Sequence, residues 1–393
     1  MTTNNRIINF LRAHEPEMFD LLEKMVLINS GTGNKEGVDR VARLITSALI
    51  SNSVSCQSIQ QDKLGNHLVV RSHCREQFDR QILILGHMDT VFPKDTDFNW
   101  YKDDGANCYG PGVIDMKGGL VCGIFALKAL DAQGLLHKIP ITFIFNSDEE
   151  IGSPGSAKLI ENEARNSACA FVLECGGPEG QIVTGRKGNL SLKLTVFGKA
   201  GHAAFADKDK GSAVLELAYK IIDLESLNDF EKKITVNVGK ISGGIGPNTV
   251  PEHAGARIDC RFVRPKDQND LKENIFKIIG RQYTPHTRAH LEIVSSRPPM
   301  QQTGANRKLF QSVQAVADRL GFPVKAEFRS GVSDANIIAE QKIPVIDGLG
   351  PIGANDHSRN EYLVKASLVQ RSALLACAIT ACCQSFLGHD PKD

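Results

Sequence analysis

The sequence predicts an α/β protein of two domains: a three-layer α/β/α domain, interrupted by a smaller α+β domain. Three observations carry this. Short apolar, β-branched runs alternate with stretches at helical spacing through most of the chain. From Arg186 to about residue 297 the pattern changes to strict two-residue alternation broken by two helical stretches. And 393 residues, at about 150 per domain, exceed one small module.

Taken in order, Met18, Leu21, Leu22, Met25 and Val26, then Val38, Val41, Leu44, Ile45 and Leu49, predict two opening amphipathic helices over 14–28 and 35–50. Strands follow at 68–70, 82–85, 139–145, 170–173 and 343–346. They are apolar on both faces, as in a parallel or mixed sheet covered by helices. Helices are expected between them at 117–131, 154–165 and 306–320, with a last one at 365–385. The alternation of Leu190, Leu192, Leu194 and Val196 begins the inserted part. A helix over 213–222, strands near 234–241 and 255–263, a helix over 267–279 and a strand at 290–295 give the β-α-β-β-α-β order of a ferredoxin-like domain. The expected division is 1–185 plus 298–393 for the discontinuous larger domain and 186–297 for the insertion.

Composition excludes several classes. Lys and Arg number 46 and Asp and Glu 45, so a net charge of +1 offers no basic field for nucleic acid. The ten cysteines form no CxxC pair, which reads as reduced thiols in a cytoplasmic protein. The N-terminal stretch shows no apolar core and cleavage site of the kind that directs export. The weakly polar run Ser372 to Cys383 is shorter than the roughly 20 residues of a membrane span, so a buried helix is expected instead.

Chemistry is expected where the apolar strands end. Ile82 to Leu85 run into Gly86-His87-Met88-Asp89, and Ile141 to Phe145 into Asn146-Ser147-Asp148-Glu149-Glu150. Phe171 to Leu173 run into Glu174, and Val345-Ile346 lead through a glycine-rich loop to His357. In open α/β sheets ligands bind beyond the carboxyl ends of the strands, so these side chains can converge. Asp115 joins them from a loop that opens a helix.

Imidazoles and carboxylates together suit Zn²⁺, and also Mn²⁺ or Co²⁺. Asp115, Glu150 and Glu174 with one hydroxide would balance two divalent cations. A carboxylate can span two ions where an imidazole cannot, which makes Asp115 the candidate bridge. On an extended segment Glu149 and Glu150 would point opposite ways, one to metal and one to the attacking water as general base. The residues alone leave open which does which. Asp89 could accept the second N–H of His87. The rival GxxxxGK[ST], GxSxG and HExxH patterns are missing from the chain.

These residues resemble the M20 family of dinuclear zinc amidohydrolases and exopeptidases, most closely its glutamate carboxypeptidase branch. The matching strings are GHMDTVFP, GPGVIDMKGG, NSDEEIGSPGS, LECG, GKAGHAA, NTVPEHAGARIDCRF, SSRPP, RSGVSDAN and NDHSRNEYL. The resemblance implies a zinc-exopeptidase-like catalytic domain with the insertion as lid and dimerisation domain. It implies one Zn²⁺ on His87 and Glu174, a second on Glu150 and His357, Asp115 between them, Glu149 as base and Asp89 orienting His87. A cis peptide at Asp115–Met116 is implied too. His202 and Asn248 would reach the substrate carbonyl, in this subunit or a partner. Arg297 and Arg261 match arginines associated with substrate carboxylates, and the helix opened by Gly331-Val332-Ser333-Asp334 could add N–H groups to that anion site.

The expected reaction is cleavage of an amide beside a C-terminal amino acid. N-acyl-amino-acid deacylation and dipeptide hydrolysis are alternatives using the same residues. A catalytically silent metal-dependent binding protein is disfavoured because ligands and base are all present. The expected partners are a small molecule or short peptide bearing a carboxylate and a second copy of the chain, with neither nucleic acid nor membrane.

Overall fold

The buried runs pair as a six-stranded sheet in the order Val54–Ile59, His67–Ser72, Ile141–Asn146, Gln81–His87, Ser167–Val172, Val345–Ile346. The last four are mutually parallel, and His67–Ser72 pairs antiparallel with both Ile141–Asn146 and Val54–Ile59. This computed structural model describes residues 2–51, 53–389 and 391. Ile82, Leu83, Ile84 and Leu85 are completely buried, the condition that makes a strand apolar throughout. The Gly118–Ala132 helix packs on the sheet so closely that a Cβ at Gly119 would lie 2.0 Å from the Leu173 carbonyl oxygen. Because neighbouring strands run the same way, His87 lies opposite Asn146 and Leu85 opposite Val172. The segments that follow therefore leave the sheet at one edge.

Three helices, not two, open the chain: Thr3–Ala13, Glu15–Val26 and Lys35–Ala48. The first buries only Ile7 and Leu11, too few apolar positions for a clear period, and Thr2 caps it through its hydroxyl. Another four-stranded sheet also escapes periodicity, because its strands are two or three residues long: Gly353–Ala354, Tyr362–Val364, Asn107–Tyr109 and Lys102–Asp103. The last long helix, Lys365–Cys382, extends well beyond the apolar run that starts at Ser372. With the turn after it, Lys365–Leu387 is long and apolar enough to cross a membrane by length and composition, and it is largely buried in protein.

The chain divides into two compact units, one of residues 1–185, 302–328 and 333–393, the other of 186–301 and 329–332. The second therefore runs past the expected end at 297 and takes in a distant tetrapeptide. The Lys187 N–H donates to the Arg329 carbonyl (3.0 Å) and Arg186 Nη1 to that of Gly331 (3.0 Å). Such long-range backbone bonds leave no trace in composition.

The second unit's sheet has the order Thr235–Gly243, His253–Phe262, Gly188–Phe197, Arg288–Arg297, antiparallel throughout. Helices Ala213–Glu225 and Pro265–Gly280 complete it. Leu190, Leu192, Leu194 and Val196 supply its buried face. A buried pair, Lys220 with Glu216 at 3.0 Å, ties the helices together, Lys220 donating to the carbonyls of Ile278, Ile279 and Arg281.

Candidate metal centre

Two clusters meet at the edge where the parallel strands end. His87, Asp115 and Glu174 form one, and Asp115, Glu150 and His357 the other, each offering ligand atoms within 4.8 Å of one another. His87 Nε2 lies 3.1 Å from Asp115 Oδ1 and 3.6 Å from Glu174 Oε1. His357 Nε2 lies 3.0 Å from Asp115 Oδ2 and 3.4 Å from Glu150 Oε2. Asp115 thus turns one oxygen to each cluster. The Asp115–Met116 peptide is cis.

The His87 tautomer follows from its surroundings. Its Nδ1 is 2.9 Å from the Asp89 carbonyl oxygen, which can only accept, so Nδ1 carries a hydrogen and Nε2 faces the cluster, where the neutral ring would offer a lone pair to an ion. The Asp89 carboxylate, 3.5 Å from Nδ1, has a second task. It accepts the N–H groups of Glu149 (3.2 Å) and Glu150 (3.3 Å) and the Thr32 hydroxyl (2.7 Å). Glu149–Ile151 is consequently a single 3₁₀ turn and not the extended segment expected, closed by the Gly152 N–H on the Glu149 carbonyl (2.8 Å). The turn, rather than strand alternation, separates the two acids. Glu150 goes to His357, while the Glu149 charge acts on both Glu150 and Glu174.

Electrostatics fit a cation here. Burial raises Glu150 to about 7 and lifts Glu174 well above the carboxylate range. His357 is raised to about 11 by its hydrogen bonds with Asp115 and Glu150. Burial opposes charge on His87, but Asp115, Asp89 and Glu174 outweigh it and hold the ring well above its ordinary value. Burial also acts to raise Asp115, yet the two imidazoles hold it low. Three crowded acids therefore draw positive charge from the rings, the role that bound cations would take over. Glu150 Oε1 is buried without a hydrogen-bond partner, an orphaned acceptor whose desolvation a bound cation would offset. The donor set of imidazole nitrogen and carboxylate oxygen suits a zinc-type ion.

Sequence reasoning missed the residues that hold this rim. Glu361, completely buried, accepts the N–H groups of Gly112 (3.0 Å), Ile114 (2.8 Å) and Asp115 (3.1 Å). Burial pushes its carboxyl up to about 7 although these bonds oppose the shift. Asp334 accepts from Asn146 Nδ2 (2.7 Å) and from the Ser153 hydroxyl, bracing the turn that carries Glu149. A buried acid at such a place could have been suspected from Glu361 standing immediately before an apolar strand.

The remaining predicted residues lie in the inserted unit. His202 pairs with Thr249 in a two-residue ladder, and the Ala203 N–H donates to the Asn248 carbonyl (2.9 Å), so His202 and Asn248, far apart in the chain, are neighbours at one exposed ladder. His202 Nδ1 accepts from the Ala204 N–H (3.1 Å), which leaves Nε2 as the hydrogen-bearing nitrogen of the neutral ring. Arg261 is occupied by Asp259 through two bonds of 2.7 and 3.0 Å. Arg297 is only 4% exposed.

Gly331 is exposed, and the expected anion-binding helix after it differs from the reading. Ala335–Glu340 is six residues long. Its opening N–H groups are already bonded, Ser333 to Asn336 Oδ1 (3.0 Å), Ala335 to Ser333 Oγ (3.1 Å), Asn336 to the Ser333 carbonyl (3.1 Å) and Ile337 to that of Asp334 (3.0 Å). Small polar side chains satisfy the helix start internally, an arrangement sequence spacing does not reveal.

An α/β sheet with an acid-and-imidazole cluster at the carboxyl edge of its parallel strands defines a metal-dependent hydrolase. The chain belongs to peptidase family M20/M25/M40, whose profile matches residues 83–381. It is 27% identical over 372 residues to Carboxypeptidase G2 of Pseudomonas sp. (strain RS-16), covering 92% of this chain and 88% of that one. It is 30% identical over 303 residues to the Succinyl-diaminopimelate desuccinylase of Marinobacter nauticus, covering 71% and 77%. Its fold is similar to that of a dinuclear metal-binding M20 peptidase, the YXEP protein of Bacillus subtilis, with a TM-score of 0.67 and 16% identity over 94% of this chain and 98% of that one.

Proposed function

We propose that this chain holds two zinc ions and cleaves the amide bond beside a C-terminal amino acid, as a carboxypeptidase. The observation that carries the reading is Asp115, whose two oxygens lie 3.1 and 3.0 Å from imidazoles of separate clusters. His87 and Glu174 would hold one ion, Glu150 and His357 the other, and Asp115 both. Bound there, the ions would polarise the substrate carbonyl and acidify water.

The chain's own residues then have distinct tasks. Glu149 takes the proton of the attacking water and returns it to the departing amine nitrogen. Asp89 keeps the turn bearing Glu149 in place and, through its carbonyl, the His87 ring. His202, whose Nε2 carries the hydrogen, and Asn248, from this subunit or a partner copy, would donate to the carbonyl oxygen as negative charge develops there. Arg297 receives the substrate carboxylate. Arg261, which bonds Asp259, and Gly331 are the other candidates for that task.

Two further assignments belong to this reading. Leu215, Tyr219 and Ile222 form an exposed apolar stripe on one helix face of the inserted unit, and Thr235–Gly243 is an edge strand of its sheet. Both support a homodimer through that unit, which we also read as the lid. Ten cysteines, none of them joined in a disulfide among the described residues, support a reducing, cytoplasmic setting.

The desuccinylase similarity favours a second reading, removal of an N-acyl group from an amino acid. A hydrolysis panel on the zinc-loaded enzyme separates them: N-acyl-glutamates, other N-acyl amino acids and unblocked dipeptides. Preference for release of a C-terminal residue from peptidyl or aroyl amides supports the carboxypeptidase. Preference for small acyl groups overturns it in favour of the deacylase, and inertness toward all three classes removes both.

A further inference from the structure

The assignments above leave Glu361 without a task, yet it stands between the two arms of the proposed centre. Its two oxygens take three backbone N–H groups of residues 112–115, the last being that of Asp115 itself. Gly112 makes this possible with a φ of +71°, and a Cβ there would meet Thr90 Cγ2 at 2.6 Å. Four residues before Glu361 is His357, in a turn closed by Ser358 Oγ on the Asn355 carbonyl (2.7 Å) and by the Asn360 N–H on Ser358 Oγ (3.2 Å). Immediately after Glu361 the Tyr362–Val364 strand pairs antiparallel with Asn107–Tyr109, Tyr362 opposite Tyr109. That second strand leads straight into the loop bearing Asp115. One buried side chain thus fastens the loop carrying His357 to the loop carrying Asp115.

We propose that Glu361 is a positioning residue that sets the distance between Asp115 and His357, and through it the affinity for the ion shared by Asp115, Glu150 and His357. The inference rests on the two-ion reading above. Glu361 needs no contact with ion or substrate to act in this way. A carboxylate offers lone pairs enough for three donors. Glutamine offers one oxygen and turns an NH₂ group toward a donor, so Glu361→Gln loses at least one bond and leaves a buried N–H unsatisfied. Partners of this kind, one step behind the ligands, typically contribute 10- to 100-fold in metal affinity.

The test is a zinc titration of the chelator-treated full chain by calorimetry, with His357→Ala identifying which binding phase belongs to the shared ion. Wild type should take up two ions. Glu361→Gln should bind the ion of Asp115, Glu150 and His357 at least about tenfold more weakly and the other ion much less affected, with a shifted cobalt(II) visible absorption and full occupancy recovered in excess metal. Glu361→Asp, which keeps both oxygens on a shorter stem, should fall between the two and serves if the Gln variant does not fold. Equal affinities and an unchanged cobalt spectrum in a folded variant overturn the proposal. So does equal weakening of both ions with lost thermal stability, which would mark a purely structural role. A wild-type protein that binds fewer than two ions overturns the two-ion reading first.

Discussion

On the rim of the larger unit, neighbours hold the key side chains: His87 by the Asp89 carbonyl, the Glu149–Glu150 turn by the Asp89 carboxylate, and the Asp115 loop by Glu361. On the inserted unit, His202 and Asn248 stand exposed at a short two-strand ladder, and Arg261 spends its charge on Asp259. The two proposed jobs account for the difference. Donors around ions must keep their separations to within a few tenths of an ångström, which buried strand ends and backbone bonds can enforce. His202 and Asn248, proposed to meet the substrate carbonyl, are accessible to it, whereas Arg297 is buried within its unit.

If that contrast is right, damage to the rim should cost far more than damage to the insertion. Asp115→Ala should have the largest effect, with both ions lost and turnover down by at least about a thousandfold, since bound metal supplies several kcal/mol of transition-state stabilisation. Metal content by mass spectrometry alongside turnover checks this. Two ions retained in the variant would remove Asp115 from the bridge. Glu149→Gln should come next. Its metal content should stay normal while turnover drops at least about a hundredfold, the lower range for a general base. Undiminished turnover in that variant would dissolve the distinction drawn between Glu149 and Glu150.

The insertion should answer more weakly and more selectively. Arg297→Ala should raise KM for substrates with a free carboxylate by about tenfold or more, and much less for their amides or esters. Equal losses on both substrate forms would show that Arg297 serves the fold instead. Arg261→Ala should have the smallest effect. A partly exposed pair such as Arg261–Asp259 contributes about 0.2–1 kcal/mol, visible at most as a slight fall in melting temperature with kinetics unchanged. A carboxylate-specific rise in KM there would mean that Arg261 leaves Asp259 for the substrate, which would sharpen the comparison against our assignment.

The central strands were legible because burial on both faces demands continuous apolar residues, and the acids and imidazoles that interrupt them at His87, Glu150 and Glu174 stand out for the same reason. Less legible was everything held by backbone bonds between distant segments. The short strands around Asn107–Tyr109 and Tyr362–Val364 have no room for a period, the first helix buries too few residues, and Arg329–Val332 joins the inserted unit through bonds that no composition records. The Glu149–Glu150 segment shows the error most plainly. Two adjacent acids after a strand read as its continuation, but Asp89, about 60 residues earlier, offers a carboxylate to both N–H groups and turns the chain.

By itself, then, the sequence determined the α/β class, the order of the central strands and the identities of the candidate ligands, because residue type and local period are written in the chain. The tertiary structure decided which Asp115 oxygen faces which imidazole, that Glu361 and Asp89 hold the loops, and that Arg261 is already engaged. Those outcomes depend on distances between residues far apart in sequence, and only the packed sheet and its crossing loops set them.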